Sequence, residues 1–288
     1  MSKLTSPVFV SEILAAHGIR LKKKWGQNFL VDENILTKIL DAAQIGPADT
    51  ILEVGPGIGT LTQALASKAG RVITMEIDGR LIPVLRDTLG EYKNVEIIHA
   101  DAMDINFDEL LKDSSSVKLV ANLPFNVATP LLYRWLKLYR SHFDLLVCMV
   151  QKEVAERITA SPGCKDYGVL SVICQYTSKV ESMFNVPSTV FFPRPKVASK
   201  VVRLCPKPKE SDVNIEEWFF RVAESVFTMR RKTLLNTLHE TFPFSKEQLV
   251  IIGRKTGIDL TRRGETLSIE EFAYLARIIY NKHVELKL

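Results

Sequence analysis

The chain has 288 residues, 46% of them hydrophobic and 25% charged, with a formal net charge of +5. That is room for one mid-sized domain and a smaller one, each with its own core, in a composition ordinary for soluble proteins. No run of about 18 apolar residues argues for a membrane helix, and the N-terminus lacks the apolar core and cleavage site of an export signal; the expected location is therefore the cytoplasm. The four cysteines, Cys148, Cys164, Cys174 and Cys205, form no C-x-x-C pair, and neither they nor the five histidines show metal-ligand spacing. No metal is expected.

The first two-thirds of the chain alternates helix-like and strand-like segments. Residues 7–16 read as an amphipathic helix, and 32–43 as another, opened by Asp32 as N-cap. Thr50–Val54 is a short buried strand running into Gly55-Pro56-Gly57-Ile58-Gly59, with helix expected over 60–69. Strands are expected next at 71–76, 95–99, 117–121 and 143–150, separated by helices near 79–89 and 128–139. Helices are then expected at 151–160 and 168–177. Strands at 180–186 and 200–204 flank the proline-rich Phe191-Phe192-Pro193-Arg194-Pro195-Lys196. Seven strands interleaved with helices imply an α/β, Rossmann-like sheet.

After Leu204 the texture changes. Cys205-Pro206-Lys207-Pro208 reads as a linker. The remainder of the chain is helical in pattern: 214–228, with Trp218, Phe219, Val222 and Val226 on one face, then 231–240, 245–254 and 268–281. The expected division is a catalytic domain over 1–205 and a smaller all-α domain over 206–288.

The glycine loop between a buried strand and a helix is the pattern of a nucleotide-type site, because glycine permits tight turning and close approach of a ligand. A dinucleotide fingerprint would read G-x-G-x-x-G; here the spacing is G-x-G-x-G, which argues against an NAD oxidoreductase. Glu76 ends the second strand, where an acid can accept hydrogen bonds from ribose hydroxyls, and Asp101 comes after the third, placed to accept from an adenine amine. Either acid taken singly is as readily a solvated strand-end carboxylate. Together, beside Gly55 and Gly57, they point to S-adenosylmethionine.

The fourth strand runs into Asn122-Leu123-Pro124-Phe125. An adenine amine is a poor nucleophile because its lone pair is delocalised into the ring. Two acceptors aimed at its N–H groups would turn and polarise it: the Asn122 side-chain oxygen and the Leu123 carbonyl. Pro124 fixes the backbone and removes a competing N–H. Phe125 can stack on the base, a contact of about 1–3 kcal/mol in nucleic-acid sites. The competing reading, a turn whose phenylalanine fills a core, stands at even odds for the tetrapeptide alone.

Taken together, these motifs resemble the ribosomal RNA adenine dimethyltransferase family, in its KsgA-type branch. The resemblance begins at Lys24-Trp25-Gly26-Gln27-Asn28-Phe29-Leu30 and runs through Glu53–Gly59, Glu76, Asp101 and Asn122–Phe125. It continues at Tyr167–Val172, Phe192–Ser199, Arg230–Leu234 and Arg263–Ser268. It implies a class I methyltransferase fold. It also implies that Asn28, Leu30, Gly55, Glu76, Asp101 and Asn122 hold the cofactor. The implied reaction is dimethylation of two adjacent adenosines in a loop near the 3′ end of small-subunit rRNA, on a nearly assembled (pre-30S) particle, by a monomer. One departure is Phe125, a position often occupied by tyrosine in this branch; stacking survives without the hydroxyl.

The Erm branch, which modifies one adenine of large-subunit rRNA and confers antibiotic resistance, shares the cofactor site and the tetrapeptide. Gly26 before Gln27 and the long helical C-terminus favour the KsgA-type reading. A mitochondrial relative would carry a transit peptide, and an assembly factor without catalysis would not need Asn122–Phe125. Basic clusters at Lys22–Lys24, Arg230–Lys232, Arg254-Lys255 and Arg262-Arg263 are candidates for gripping rRNA; for any one cluster alone, a solvated face is the simpler reading.

Overall fold

The computed structural model describes residues 3–21, 27–114 and 116–286. The basic cluster Lys22–Lys24, and Trp25 and Gly26 beside it, therefore lie outside the described residues. The chain packs as two compact units, one of residues 1–155 and 179–206, the other of 156–178 and 207–288. Among the described residues no helix is long and apolar enough to cross a membrane.

In the first unit, α1 (Pro7–Ala16) is capped by Ser6, and β1 (Phe29–Leu30) leads to α2 (Glu33–Ala43), where the Asp32 carboxylate accepts from the Ile35 N–H. Next in chain order come β2 (Thr50–Val54), α3 (Thr60–Ala66), β3 (Arg71–Glu76), α4 (Ile82–Leu89), β4 (Val95–His99), α5 (Phe107–Leu110) and β5 (Val117–Asn122). α6 (Ala128–Arg134) continues into a wider π turn over Trp135–Tyr139 before β6 (Leu145–Gln151). α7 (Lys152–Ile158) and α8 (Val169–Thr177) precede β7 (Ser178–Val186), β8 (Phe191–Phe192) and β9 (Ser199–Pro206).

The main sheet has seven strands in the order β4-β3-β2-β5-β6-β9-β7, as a seven-strand Rossmann-like reading requires. β2, β3, β4, β5 and β6 run parallel, and β9 pairs antiparallel with β6. Parallel strands buried on both faces read as continuous apolar runs; β6, Leu-Leu-Val-Cys-Met-Val, is buried from Leu145 to Val150. The chain leaves β2 towards β3 and β4, then returns to β5 on the other side. That reversal opens a crevice at the carboxyl ends of β2 and β5, where ligands of open α/β sheets bind. A separate two-stranded ladder joins β1 to β8, with Phe29 opposite Phe192 and Leu30 opposite Phe191.

The second unit is helical: α8, with α9 (Val213–Thr228), α10 (Leu234–Thr241), α11 (Lys246–Thr256) and α12 (Ile269–Leu286). Its core is aromatic. Trp218 stacks on Phe242 at 5.3 Å, and Tyr176 on Phe219 at 3.6 Å. Residues 156–178, assigned by sequence to the first domain, pack instead with the C-terminal helices. The Gly163 N–H donates to the Glu265 carbonyl, the Tyr167 hydroxyl to the Leu267 carbonyl, and the Lys207 N–H to the Thr177 carbonyl. Buried donors and acceptors need partners, and this segment finds these partners beyond residue 206.

Candidate active site

A cleft lies at the carboxyl ends of β2 to β5. Its walls come from 27–30, 53–57, 60–61, 75–77, 81, 100–102, 122–127 and 131. Every cofactor and acceptor residue singled out from the sequence is there: Asn28, Leu30, Gly55, Gly57, Glu76, Asp101, Asn122, Leu123, Pro124 and Phe125.

The glycine loop is conformationally demanding. Gly55, Gly57 and Gly59 have φ of +74°, +61° and +90°, the left-handed region that costs other residues about 1–2 kcal/mol. Space is equally short: a Cβ on Gly57 would lie 2.7 Å from the Phe29 ring. The loop's N–H groups are turned inward, Gly55 donating to the Met75 carbonyl and Gly57 to Glu76 Oε2 at 3.3 Å.

Glu76 is buried, and its other oxygen, Oε1, accepts from the Asp78 N–H at 2.8 Å. Burial pushes its carboxyl up to about 7, against the pull of those N–H groups. Glu53, before the loop, is buried too; Thr62 and Thr74 both donate to its Oε2, at 2.7 and 3.1 Å. Desolvation raises it to about 7, with a further push from the nearby Glu76. Asp101 Oδ1 accepts from the Met103 N–H at 2.8 Å, and Oδ2 has no hydrogen-bond partner among the described residues.

On the opposite wall, the Asn122 Nδ2 donates to the Asn28 carbonyl at 3.3 Å. A carbonyl only accepts, so this bond fixes which arm of the carboxamide is the nitrogen. Among the described residues the buried Oδ1 has no partner, and neither has the hydroxyl of Thr60, which is only 4% exposed. Both residues line the cleft, where a bound ligand would complete these atoms.

Residues 18–277 match the ribosomal RNA adenine dimethylase family. This chain belongs to that family. Its class of reaction is methylation of adenine in ribosomal RNA. It is 46% identical to Ribosomal RNA small subunit methyltransferase A of Bacillus cytotoxicus, over 97% of this chain and 98% of that one. It is 47% identical to the protein of the same name from Clostridium botulinum, over 94% and 98%. Among solved structures, a dimethyladenosine transferase from Plasmodium falciparum superposes with a TM-score of 0.73 at 29% identity, covering 88% of this chain and 97% of its own. The 23S rRNA methyltransferase ErmE, at 24% identity and a TM-score of 0.65 over 88% and 99%, shares the fold.

The structure adds Thr60 and Ile77 to the lining, and gives Gln27 a partner that its motif does not announce. Thr60 stands directly after the last glycine, and its position at the start of a helix carries no signal by itself. Ile77, 41% exposed directly after Glu76, offers the cleft an apolar surface; an apolar residue left open after a strand-end acid is the available clue. Asp78, Gln27 and Arg80 are joined through space: Gln27 Nε2 donates to Asp78 Oδ2 at 2.9 Å, and the Arg80 guanidinium to both oxygens of Asp78 at 2.9 and 2.5 Å. That guanidinium holds the Asp78 carboxyl below its ordinary value. No local spacing announces a pair as far apart in the chain as Gln27 and Asp78.

The basic clusters divide. Arg230 donates to the carbonyls of Lys165 and Tyr167 and to Glu265, Lys232 pairs with Glu240, and Arg262 pairs with Glu271. These cations are engaged within the helical unit, although Arg230 and Lys232 are themselves exposed. Arg231, Arg254, Lys255 and Arg263 stand exposed.

Proposed function

We propose that this chain uses S-adenosylmethionine to dimethylate the exocyclic amines of two adjacent adenosines in a loop near the 3′ end of small-subunit rRNA. It does so in the cytoplasm, as a monomer acting on pre-30S particles during subunit biogenesis. The names of the relatives from Bacillus and Clostridium support the small subunit over the large.

The observation that carries the chemistry is the Asn122 carboxamide on the cleft wall, oriented by its Nδ2 bond to the Asn28 carbonyl, with an Oδ1 that has no partner among the described residues. The donor's requirements fit the other wall. Glu76 would accept from the ribose hydroxyls with its remaining lone pairs, Asp101 Oδ2 would accept from the adenine amine, and Ile77 and Leu30 would flank the ring. The glycine loop, Thr60 and Asn28 would hold the methionine tail. Bound there, the cofactor supplies an electrophilic methyl on a cationic sulfur.

The protein's share in the reaction is orientation. In the first transfer the Asn122 Oδ1 accepts one N–H of the target amine and the Leu123 carbonyl the other, so that the nitrogen lone pair is drawn out of conjugation; the proton shed by the methylated nitrogen goes to solvent, and in the second transfer the one remaining N–H keeps a single acceptor. Pro124 offers no N–H to compete, and Phe125 stacks on the base, which must leave its own stack to enter. Holding two reactants in this way can account for several powers of ten in rate. Arg231, Arg254, Lys255 and Arg263 supply exposed charge for the rRNA backbone.

The test is transfer of labelled methyl to unmethylated small subunits, with large subunits alongside. Dimethyladenosine in the small particle is the expected product. Product only in the large particle would assign the chain to the Erm-type reaction.

A further inference from the structure

We infer that Gln27 and Asp78 are positioning residues: acting through Asn28, they set the orientation of the Asn122 carboxamide on the far side of the cleft. The inference rests on the reading of Asn122 as the acceptor for the target amine, and extends it to two residues with no part in that reading.

The connection is a line of hydrogen bonds across the crevice. It starts at the end of β3, where Glu76 Oε1 accepts from the Asp78 N–H at 2.8 Å. The Asp78 carboxylate accepts from Gln27 Nε2 at 2.9 Å. The next residue, Asn28, presents its carbonyl to Asn122 Nδ2 at 3.3 Å, at the end of β5. The segment 27–30 thus spans from the end of one strand to the end of another on the far side of β2. It is held at its far end by the β1–β8 ladder and, through Phe29, by close packing over Gly57.

Asp78 suits this role. It is 4% exposed and lies outside the cleft walls, so it acts only through its neighbours. Arg80 grips it with two nitrogens and reaches the Arg20 carbonyl at 3.1 Å with a third. A buried carboxylate paired with arginine in a two-pronged grip is a stiff fixture, and Gln27 is tied to it by a charge-assisted bond. The bond at the other end, from Asn122 to Asn28, is longer and neutral. The orientation of the Asn122 carboxamide therefore depends on how firmly the Asn28 peptide is held. If that peptide shifts, Nδ2 loses its acceptor, the carboxamide is free to turn, and Oδ1 no longer points one way. The same displacement moves Asn28 and Leu30 on the cofactor wall. One fixture thus serves both the donor side and the acceptor side.

The experiment uses the full-length protein with Gln27→Leu, which keeps bulk and removes the donor, and Gln27→Glu, which places a carboxylate against Asp78. Two readouts are taken. The first is single-turnover methyl transfer to unmethylated small subunits at saturating cofactor. The expected result is a rate lower by about 10- to 100-fold, the scale of a misplacement near 1 Å, with subunit affinity unchanged. The second is the side-chain NH₂ resonance of Asn122 in the isolated protein, assigned by its loss in Asn122→Asp. The expected result is a shift or broadening of that resonance in both variants. A single-turnover rate within twofold of wild type, or an unmoved Asn122 resonance in a folded variant, overturns the inference. Should Gln27→Glu not fold, Gln27→Leu decides alone. If wild-type protein transfers no methyl to either subunit, the reading of the reaction falls, while the resonance still decides whether Gln27 positions Asn122.

Discussion

Pro124 lies against Gly55: a Cβ on that glycine would come within 3.1 Å of the proline Cγ and 3.3 Å of its Cδ. The cofactor loop and the acceptor tetrapeptide are therefore in van der Waals contact, with no room between them for a side chain. The donor and acceptor walls of the cleft share this seam, so a change on one side is felt on the other.

Gly55→Ala tests the seam. The substitution places alanine at φ +74° and forces Pro124 to move. The backbone term alone costs about 1–2 kcal/mol. Thermal unfolding should show a loss of that order, and catalysis should suffer in both KM for the cofactor and kcat. A loss in KM with unchanged kcat would show that Pro124 yields without disturbing Asn122.

Glu53 predicts a stability that depends on pH. Burial raises its carboxyl from 4.5 in the unfolded chain to about 7 in the folded one. The folded state therefore binds this proton more tightly, and its advantage is lost as pH rises from 4.5 through 7. A shift of that size corresponds to about 3 kcal/mol. Glu53→Gln keeps the shape and carries no charge. Its melting temperature should exceed that of wild type at pH 8, and the gap should narrow towards pH 5. A gap independent of pH would show that Glu53 is not titrating.

Glu76 makes the parallel prediction for binding. Its carboxyl is raised to about 7, and only the ionised form offers all its lone pairs to ribose hydroxyls and its charge to a cationic ligand. Binding then releases protons, so affinity for S-adenosylmethionine should rise between pH 6 and pH 8 and level off above. Calorimetry in buffers of different ionisation enthalpy should detect the released proton. Glu76→Gln should bind more weakly and with a flatter pH dependence.

The basic residues can be sorted by salt dependence. Arg231 is exposed, so Arg231→Ala should reduce the salt dependence of subunit binding by about one ion's worth with little change in stability. Arg230→Ala removes donors to Lys165 and Tyr167, so its main effect should be a lower melting temperature of the helical unit. Equal effects of the two on binding and none on stability would contradict this division.

The strands β2, β3, β5 and β6 are legible in the sequence because buried parallel strands are short apolar runs between glycine and polar breaks. The wide turn at Trp135–Tyr139 is not, since its apolar spacing continues that of α6. β1 and β8 are two residues each and exist only by pairing with one another. The cofactor-wall residues are legible wherever a strand end and a glycine loop announce them. Gln27, Asp78 and Thr60 are not: their importance lies in hydrogen bonds made, or left unmade, in the folded chain. For the same reason 156–178 reads as part of the first domain, although its partners lie beyond residue 206.

The most direct measurement is methyl transfer by Asn122→Ala to unmethylated small subunits, with cofactor binding determined on the same protein. If the carboxamide oxygen activates the amine, turnover at saturating cofactor should fall by about 100-fold or more, as when a single aimed polar group is removed from a catalytic site. Cofactor affinity should change far less. Turnover near that of wild type, with the cofactor bound, would contradict the account.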